Sequence, residues 1–348
     1  MFARARRSAC GFAVAAAMGC LLAVVANRAS AGELEALLDP ISPEIRKWAS
    51  VAVVSGSKEE PEFQWHHYRD SKDAVGFWPA STIKLYTVVA AVERLNELEM
   101  PLDCALVFER RTGGRCGLDC ARSMREMISE VFRRSSNEDY TLLLRFVGVD
   151  RINTKFLIPE RGFPHSALMR GYVKPRPYLF VRTEPQRITV RSADGRTKVV
   201  EHVWSGRSYS EERGATVISS TTGNCASTGE LADCLRRVMF HERLPASERY
   251  NLTQEQVEFL REGGAGLTGL RNKLAGAFAW EGSVSKVFPK ARFYHKAGRI
   301  STHTLDVAYI EDEASGARFV LCVAAESGKE QTVTIMSKAV AEWVRAGR

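Results

Sequence analysis

The chain has 348 residues and a formal net charge of +8, with length enough for one large two-lobed domain. It carries no Lys/Arg tract and no RNA-binding aromatic motif, so nothing in it points to nucleic acid. A mild positive excess suits work near an anionic envelope polymer. Residues 1–31 open with Arg4, Arg6 and Arg7, continue through an apolar stretch from Phe12 to Val25, and end Ala29-Ser30-Ala31. That order is a secretory signal peptide cut after Ala31, which predicts a periplasmic or secreted protein. The apolar stretch is too short for a membrane span. A lipoprotein anchored through Cys20 fits less well, because Ala17-Met18-Gly19-Cys20 lacks the usual aliphatic residue. Cleavage removes four arginines and no acidic residue, which halves the net charge of +8.

Residues 32–348 are expected to form a single domain. Glu33 to Ala49 reads as a first helix, broken near Pro40 and Pro43, and Val51 to Ser55 and Phe63 to Tyr68 as two strands. A long apolar helix starts at Ser81. The middle of the chain, about 98–290, reads as a largely helical lobe. Within it, Met124, Met127, Ile128, Val131 and Phe132 recur at helical spacing. Residues 176–214 alternate like an inserted basic β-hairpin, and Ser227 with Glu230 forms a capping-box signature. Three late strands follow, Ala291 to Gly298, Thr304 to Glu311 and Arg318 to Ala325, and then a helix from about Glu330 to Val344. Gly263-Gly264-Ala265-Gly266 lacks a preceding strand and reads as a loop.

Six cysteines remain after cleavage, an even number that permits disulfides in an oxidising compartment. Cys225 and Cys234 could staple the entry to a helix. Cys104 could reach Cys116 or Cys120 across a loop from Phe108 to Leu118, and Cys322 reads as a buried free thiol. The 116/120 pair has no second pair or histidine at zinc spacing, so no metal is expected. His66 and His67 point to opposite faces of one strand and cannot make a metal pair by themselves. His295 is expected to face away from Lys296, against the helical lobe.

Three motifs carry chemistry. The pattern S-x-x-K occurs at Ser55/Lys58, Ser81/Lys84 and Ser283/Lys286. Ser55 sits in a turn and Ser283 in a polar stretch with no helical pattern. Only Ser81 opens a helix, with Lys84 on the same face one turn later. A lysine buried there has a lowered pKa and is able to take the serine proton. Ser135-Ser136-Asn137 follows at a helix end, and Lys296-Ala297-Gly298 lies on the first late strand.

In this order the motifs resemble the S-x-x-K, S-x-N and K-[TS]-G elements of class A β-lactamases and penicillin-binding D,D-peptidases. The resemblance implies an α/β (α+β) fold with an antiparallel five-stranded sheet, flanking helices and an inserted helical lobe. It implies Ser81 as nucleophile, Lys84 as its activator and Ser135 as the relay of a proton to the departing nitrogen. It places Asn137, Ala297 and Gly298 along the substrate, and Lys296 as positive charge for the substrate carboxylate and for Ser135. The oxyanion would rest on the backbone N–H groups of Ser81 and Arg299. No cofactor is implied. The expected partner is a small-molecule β-lactam or a peptidoglycan-derived peptide.

The sequence departs from the pattern in three places. Ser136 stands where β-lactamases usually have Asp, and Ala297 replaces a hydroxyl residue that binds the substrate carboxylate. Glu184, in Arg182-Thr183-Glu184-Pro185, is the nearest match to the family's deacylation base, but Ile188 stands where an asparagine is usual. The reading is therefore a class A β-lactamase-like serine hydrolase that forms an acyl-enzyme through Ser81 on β-lactams or D-Ala-D-Ala-like amides. A D,D-peptidase or esterase without efficient β-lactamase turnover, and a catalytically silent envelope-binding domain, are its alternatives.

Overall fold

The computed structural model describes residues 32–112, 115–173, 185–215, 223–272 and 280–347. The signal-peptide reading of residues 1–31 lies outside them. Residues 32–38 form α1. The helix ends ahead of Pro40 and Pro43, and the expected continuation to Ala49 is instead strand: β1 spans Lys47–Gly56. Its side chains alternate between two cores, with Trp48, Ala52 and Val54 in one and Ala49 and Val51 in the other. Burial on both faces outweighs the local helical pattern there.

β1 pairs with β2 (Pro61–His67) and with β11 (Ala317–Ala325). β10 (Thr304–Asp312) and β9 (Arg292–Arg299) complete an antiparallel sheet in the order β2-β1-β11-β10-β9. The five-stranded antiparallel sheet matches the expectation. On one face, α1 and the C-terminal helix (Gln331–Arg345) bury Leu34, Leu38, Val333, Met336 and Val340 against it. The other face carries the larger core, centred on α2 (Lys84–Glu97), which is buried on nearly every side.

The expected Cys/Gly loop is a hairpin. β3 (Cys104–Thr112) pairs with β4 (Arg115–Ser123). Cys104, Leu106 and Phe108 are all buried on one face, a period-2 signal that the arginines and glycines around it obscured. β3 also pairs with β5 (Gln186–Ser192), which turns into β6 (Thr197–His202). The basic arm is thus half of a second four-stranded sheet, in the order β4-β3-β5-β6. Arg145 of the helical region ties it down, donating to Gln186 Oε1 at 2.7 Å and lying over the Phe108 ring.

Cys104, Cys225, Cys234 and Cys322 are free thiols. The Cys225–Cys234 staple is therefore absent: Cys225 donates to the His165 carbonyl, while Cys234 is buried inside α5 (Thr228–Met239). Ser227 caps α5 by accepting from Glu230 N at 3.1 Å. The Glu230 side chain does not close the expected box. It accepts from His165 N at 2.8 Å and from the Ser166 hydroxyl, holding the 165–172 segment to this helix. A complete capping box instead opens α6 (Gln254–Glu262), between Thr253 and Gln256. The glycine-rich stretch after α6 makes a minimal hairpin of β7 (Gly263–Gly264) and β8 (Leu267–Thr268).

Candidate active site

Ser81 lies in a single 3-10 turn, Ala80–Ile83, that runs directly into α2. Ala80 ahead of it has φ +44°, a strained value for a residue with a Cβ. The turn is braced from two sides. Thr82 Oγ1 donates to the Pro79 carbonyl at 2.5 Å, and the Tyr172 hydroxyl donates to the Ala80 carbonyl at 3.1 Å. Ser81 is half-buried, and among the described residues its hydroxyl makes no hydrogen bond.

Lys84 begins α2 with 0% of its surface exposed. Its Nζ donates to the Ser135 carbonyl at 2.5 Å and to Asn137 Oδ1 at 2.7 Å, and lies 3.2 Å from Ser135 Oγ. The Tyr140 and Tyr172 rings lie 5.6 and 5.8 Å from the same nitrogen. Burial, and then the nearby positive charge of Lys296, hold its pKa well below the usual lysine range, against a smaller opposing pull from Asp139.

The second motif is a joint between helices. β4 feeds α3 (Met124–Arg134), which ends where Ser135 takes the left-handed conformation, φ 56° and ψ 41°. Ser136 then caps α4 (Asn137–Val147), accepting from Asp139 N at 3.2 Å and donating to Asp139 Oδ2 at 2.5 Å. Asp139 is buried and paired with Arg122 at 2.6 Å. This sharp turn aims both oxygens of Ser135 and the side chain of Asn137 at Lys84.

The third motif arrives from the sheet. Lys296 on β9 is fully buried and donates to Ser135 Oγ at 2.9 Å and to the Ala297 carbonyl at 2.7 Å. Burial lowers its pKa to about 7, partly offset by Asp306. Gly298 presses on the Ser81 turn: a Cβ there would stand 2.9 Å from Ser81 N and 3.0 Å from Thr82 N. Only glycine allows β9 to run this close to Ser81. Arg299 ends the strand, with its side chain paired to Glu330. Ser81, Lys84, Ser135, Asn137, Lys296 and Gly298 thus converge on one place, although they are separated by up to two thirds of the chain.

No protein-family model matches this chain, and no curated protein matches it by sequence. Its three-dimensional likenesses are extensive. A β-lactamase from Sphaerobacter thermophilus is similar with TM-score 0.55 at 16% identity, over 90% of this chain and 97% of that one. PBP-A gives 0.57 at 14%, over 90% and 96%. The TLA-3 extended-spectrum β-lactamase gives 0.57 at 14%, over 90% and 99%. The chain has the β-lactamase fold.

Within that fold, the other predicted residues are placed as follows. Ala297 is buried against the terminal-helix core. Glu184 lies outside the described residues. Among those described, no carboxylate hydrogen-bonds Ser81 or Lys84. Ser55 is exposed at the end of β1, and Ser283 is buried in a π-turn, Trp280–Val284. Neither shares the site. His66 packs on Trp343 and His67 on Trp65, on opposite faces of β2. His295 does turn away from Lys296, but toward Trp280 and the terminal-helix core, because alternate strand positions face opposite layers.

Sequence reasoning missed a buried brace. Asn224 Nδ2 donates to the Tyr172 hydroxyl at 2.9 Å, and its Oδ1 accepts from Met169 N and Arg170 N. Thr141 Oγ1 accepts from Tyr172 N at 3.0 Å. Together these fix the phenol that holds Ala80. No motif announces them, since their partners lie far away in sequence.

Proposed function

We propose that this protein is an acyl-enzyme-forming serine hydrolase of the exported cell envelope, acting through Ser81 on β-lactams or D-Ala-D-Ala-like amides. The observation that carries this reading is the Ser135 hydroxyl held between two buried lysines, beside a serine whose own hydroxyl is unengaged. In the fold it shares, a variant of PBP-A was captured as an acyl-enzyme complex with penicillin G. Neutral Lys84 takes the Ser81 proton as the serine oxygen attacks the amide carbonyl. The backbone N–H groups of Ser81 and Arg299 receive the oxyanion. As the carbon–nitrogen bond breaks, Ser135 passes a proton to the nitrogen, and Lys296 supplies positive charge for Ser135 and the substrate carboxylate. Asn137 holds the acyl amide.

Turnover requires a second step, in which water attacks the ester. The walls around Lys84 among the described residues are aromatic and amide, which favours a long-lived acyl-enzyme and a peptidase-like reaction. Glu184 is the candidate water activator. Labelling with a fluorescent penicillin, competed by an acyl-D-Ala-D-Ala peptide, tests the reading. Label displaced by the peptide and lost in Ser81→Ala supports it, whereas label retained in Ser81→Ala overturns it.

A further inference from the structure

One buried carboxylate beside the site takes no part in the reaction described above. Asp139, in the first turn of α4, is 0% exposed, and both its oxygens are engaged at the joint that carries Ser135. Ser136 Oγ donates to its Oδ2 at 2.5 Å and accepts from its backbone N at 3.2 Å. Its Oδ1 accepts from Arg122 Nη2 at 2.6 Å. Arg122 stands on β4 opposite Leu106 of β3, in the sheet that also holds the inserted arm. Ser136 alone would cap α4, so capping does not call for a buried charge here. The joint itself does call for a restraint. Ser135 has a Cβ and yet sits in the left-handed region, at φ 56° and ψ 41°, where the backbone is strained. On its N-terminal side the Glu130 carbonyl accepts from the N–H groups of Ser135 and Ser136. On its C-terminal side the chain Ser136–Asp139–Arg122 fixes the start of α4.

We propose that Asp139 is a positioning residue for Ser135: clamped by Arg122, it holds Ser136, and with it the left-handed turn that puts the Ser135 hydroxyl between Lys84 and Lys296. This rests on the role given to Ser135 above. There the proton that Lys84 takes from Ser81 leaves through the Ser135 hydroxyl to the departing nitrogen as the carbon–nitrogen bond breaks. Ser135 Oγ lies 3.2 Å from Lys84 Nζ and 2.9 Å from Lys296 Nζ. A turn relaxed toward helical or extended backbone would carry it out of reach of at least one amine. The loss matters most when the departing atom is a poor anion. An amide nitrogen needs a proton to leave, whereas a thioester sulfur leaves as a thiolate. Attack by Ser81 and the oxyanion contacts are common to both. The charge of Asp139 also acts on Lys84, but through removal of the Ser81 proton, which is the same step for either acyl donor.

The test has a structural and a kinetic arm. The first is a crystal structure of Asp139→Ala with no acyl donor present. The expected result is that Ser135 leaves the left-handed region and its hydroxyl moves beyond hydrogen-bond distance of one or both lysines. Ser135 unmoved in that structure overturns the proposal. Where Asp139→Ala does not fold, Ser136→Ala removes the same contact while leaving Asp139 on Arg122, and is read the same way. The second arm is single-turnover acylation by two donors with one acyl group, an acyl-D-Ala-D-Ala peptide and the matching acyl-D-Ala thioester. Asp139→Ala should slow the peptide about a hundredfold and the thioester less than about threefold, the pattern expected of Ser135→Ala. Equal slowing of both donors would mean that Asp139 supports the fold alone, and overturns the proposal too. The structural arm needs no acyl donor, so it decides the positioning whatever the chain does with penicillin.

Discussion

Lys84 and Lys296 reach the same Ser135 hydroxyl from different elements, at 3.2 and 2.9 Å, one from the central helix and one from the edge strand. In the proposed reaction these two depressed amines divide the work, with Lys84 neutral and Lys296 charged. The rate of acylation should therefore rise as Lys84 deprotonates and fall as Lys296 loses its charge near pH 7. Lys296→Arg keeps a cation at every working pH and should remove the alkaline fall. Acylation rates by penicillin from about pH 5 to about pH 9 check this.

Gly298 has no room for a side chain beside Ser81 N. Gly298→Ala should push the strand or the Ser81 turn aside, costing about 1–3 kcal/mol as overpacking and slowing acylation at least tenfold. Thermal unfolding alongside single-turnover acylation measures both. An acylation rate equal to wild type would mean that the close approach does not position Ser81.

Tyr172→Phe deletes the hydroxyl that braces Ala80 and removes one of three acceptors around Asn224 Nδ2, which keeps the Arg170 carbonyl and the Tyr140 hydroxyl. A loss of about 0.5–1.5 kcal/mol is expected from the hydrogen bond to Ala80 that is removed. The relaxed turn should also slow acylation. Denaturant unfolding gives the first quantity and the adduct formation rate the second.

Glu230 is buried against Tyr86 and Ser166, and burial raises its pKa from 4.5 to about 7. Between those values the folded chain holds a proton that the unfolded chain has released, so this group favours folding below pH 4.5 and loses that contribution as pH rises to about 7. The swing is roughly 3 kcal/mol. Glu230→Gln should abolish it, visible as the difference between the two chains' stability–pH curves.

The motifs were legible because each is local: a serine and a lysine one helical turn apart, a cap between helices, a lysine on a strand. The sheet was legible because its strands are short apolar runs. The β3–β4 hairpin was not, since Cys104-Ala105-Leu106-Val107-Phe108 is a short apolar run without alternation that passes at once into charged Glu109, Arg110 and Arg111. The Tyr172–Asn224–Ala80 brace and the His295–Asp306 pair were also invisible. Both depend on where distant backbone is placed, and neither leaves a spacing along the chain. The Glu230 side chain shows the same limit: its local partner was the Ser227 backbone, but a tertiary partner, Ser166, took it.

The central claim is that Ser81 is the nucleophile of an acyl transfer. Intact mass of the mature chain against time with penicillin G, with Ser81→Ala as control, tests it most directly. Ring opening of a β-lactam keeps the departing nitrogen on the acyl group, so the wild type should gain the mass of the whole penicillin on the peptide carrying Ser81. The Ser81→Ala chain should gain nothing. An unmodified wild type, or an adduct that persists in Ser81→Ala, would contradict the account.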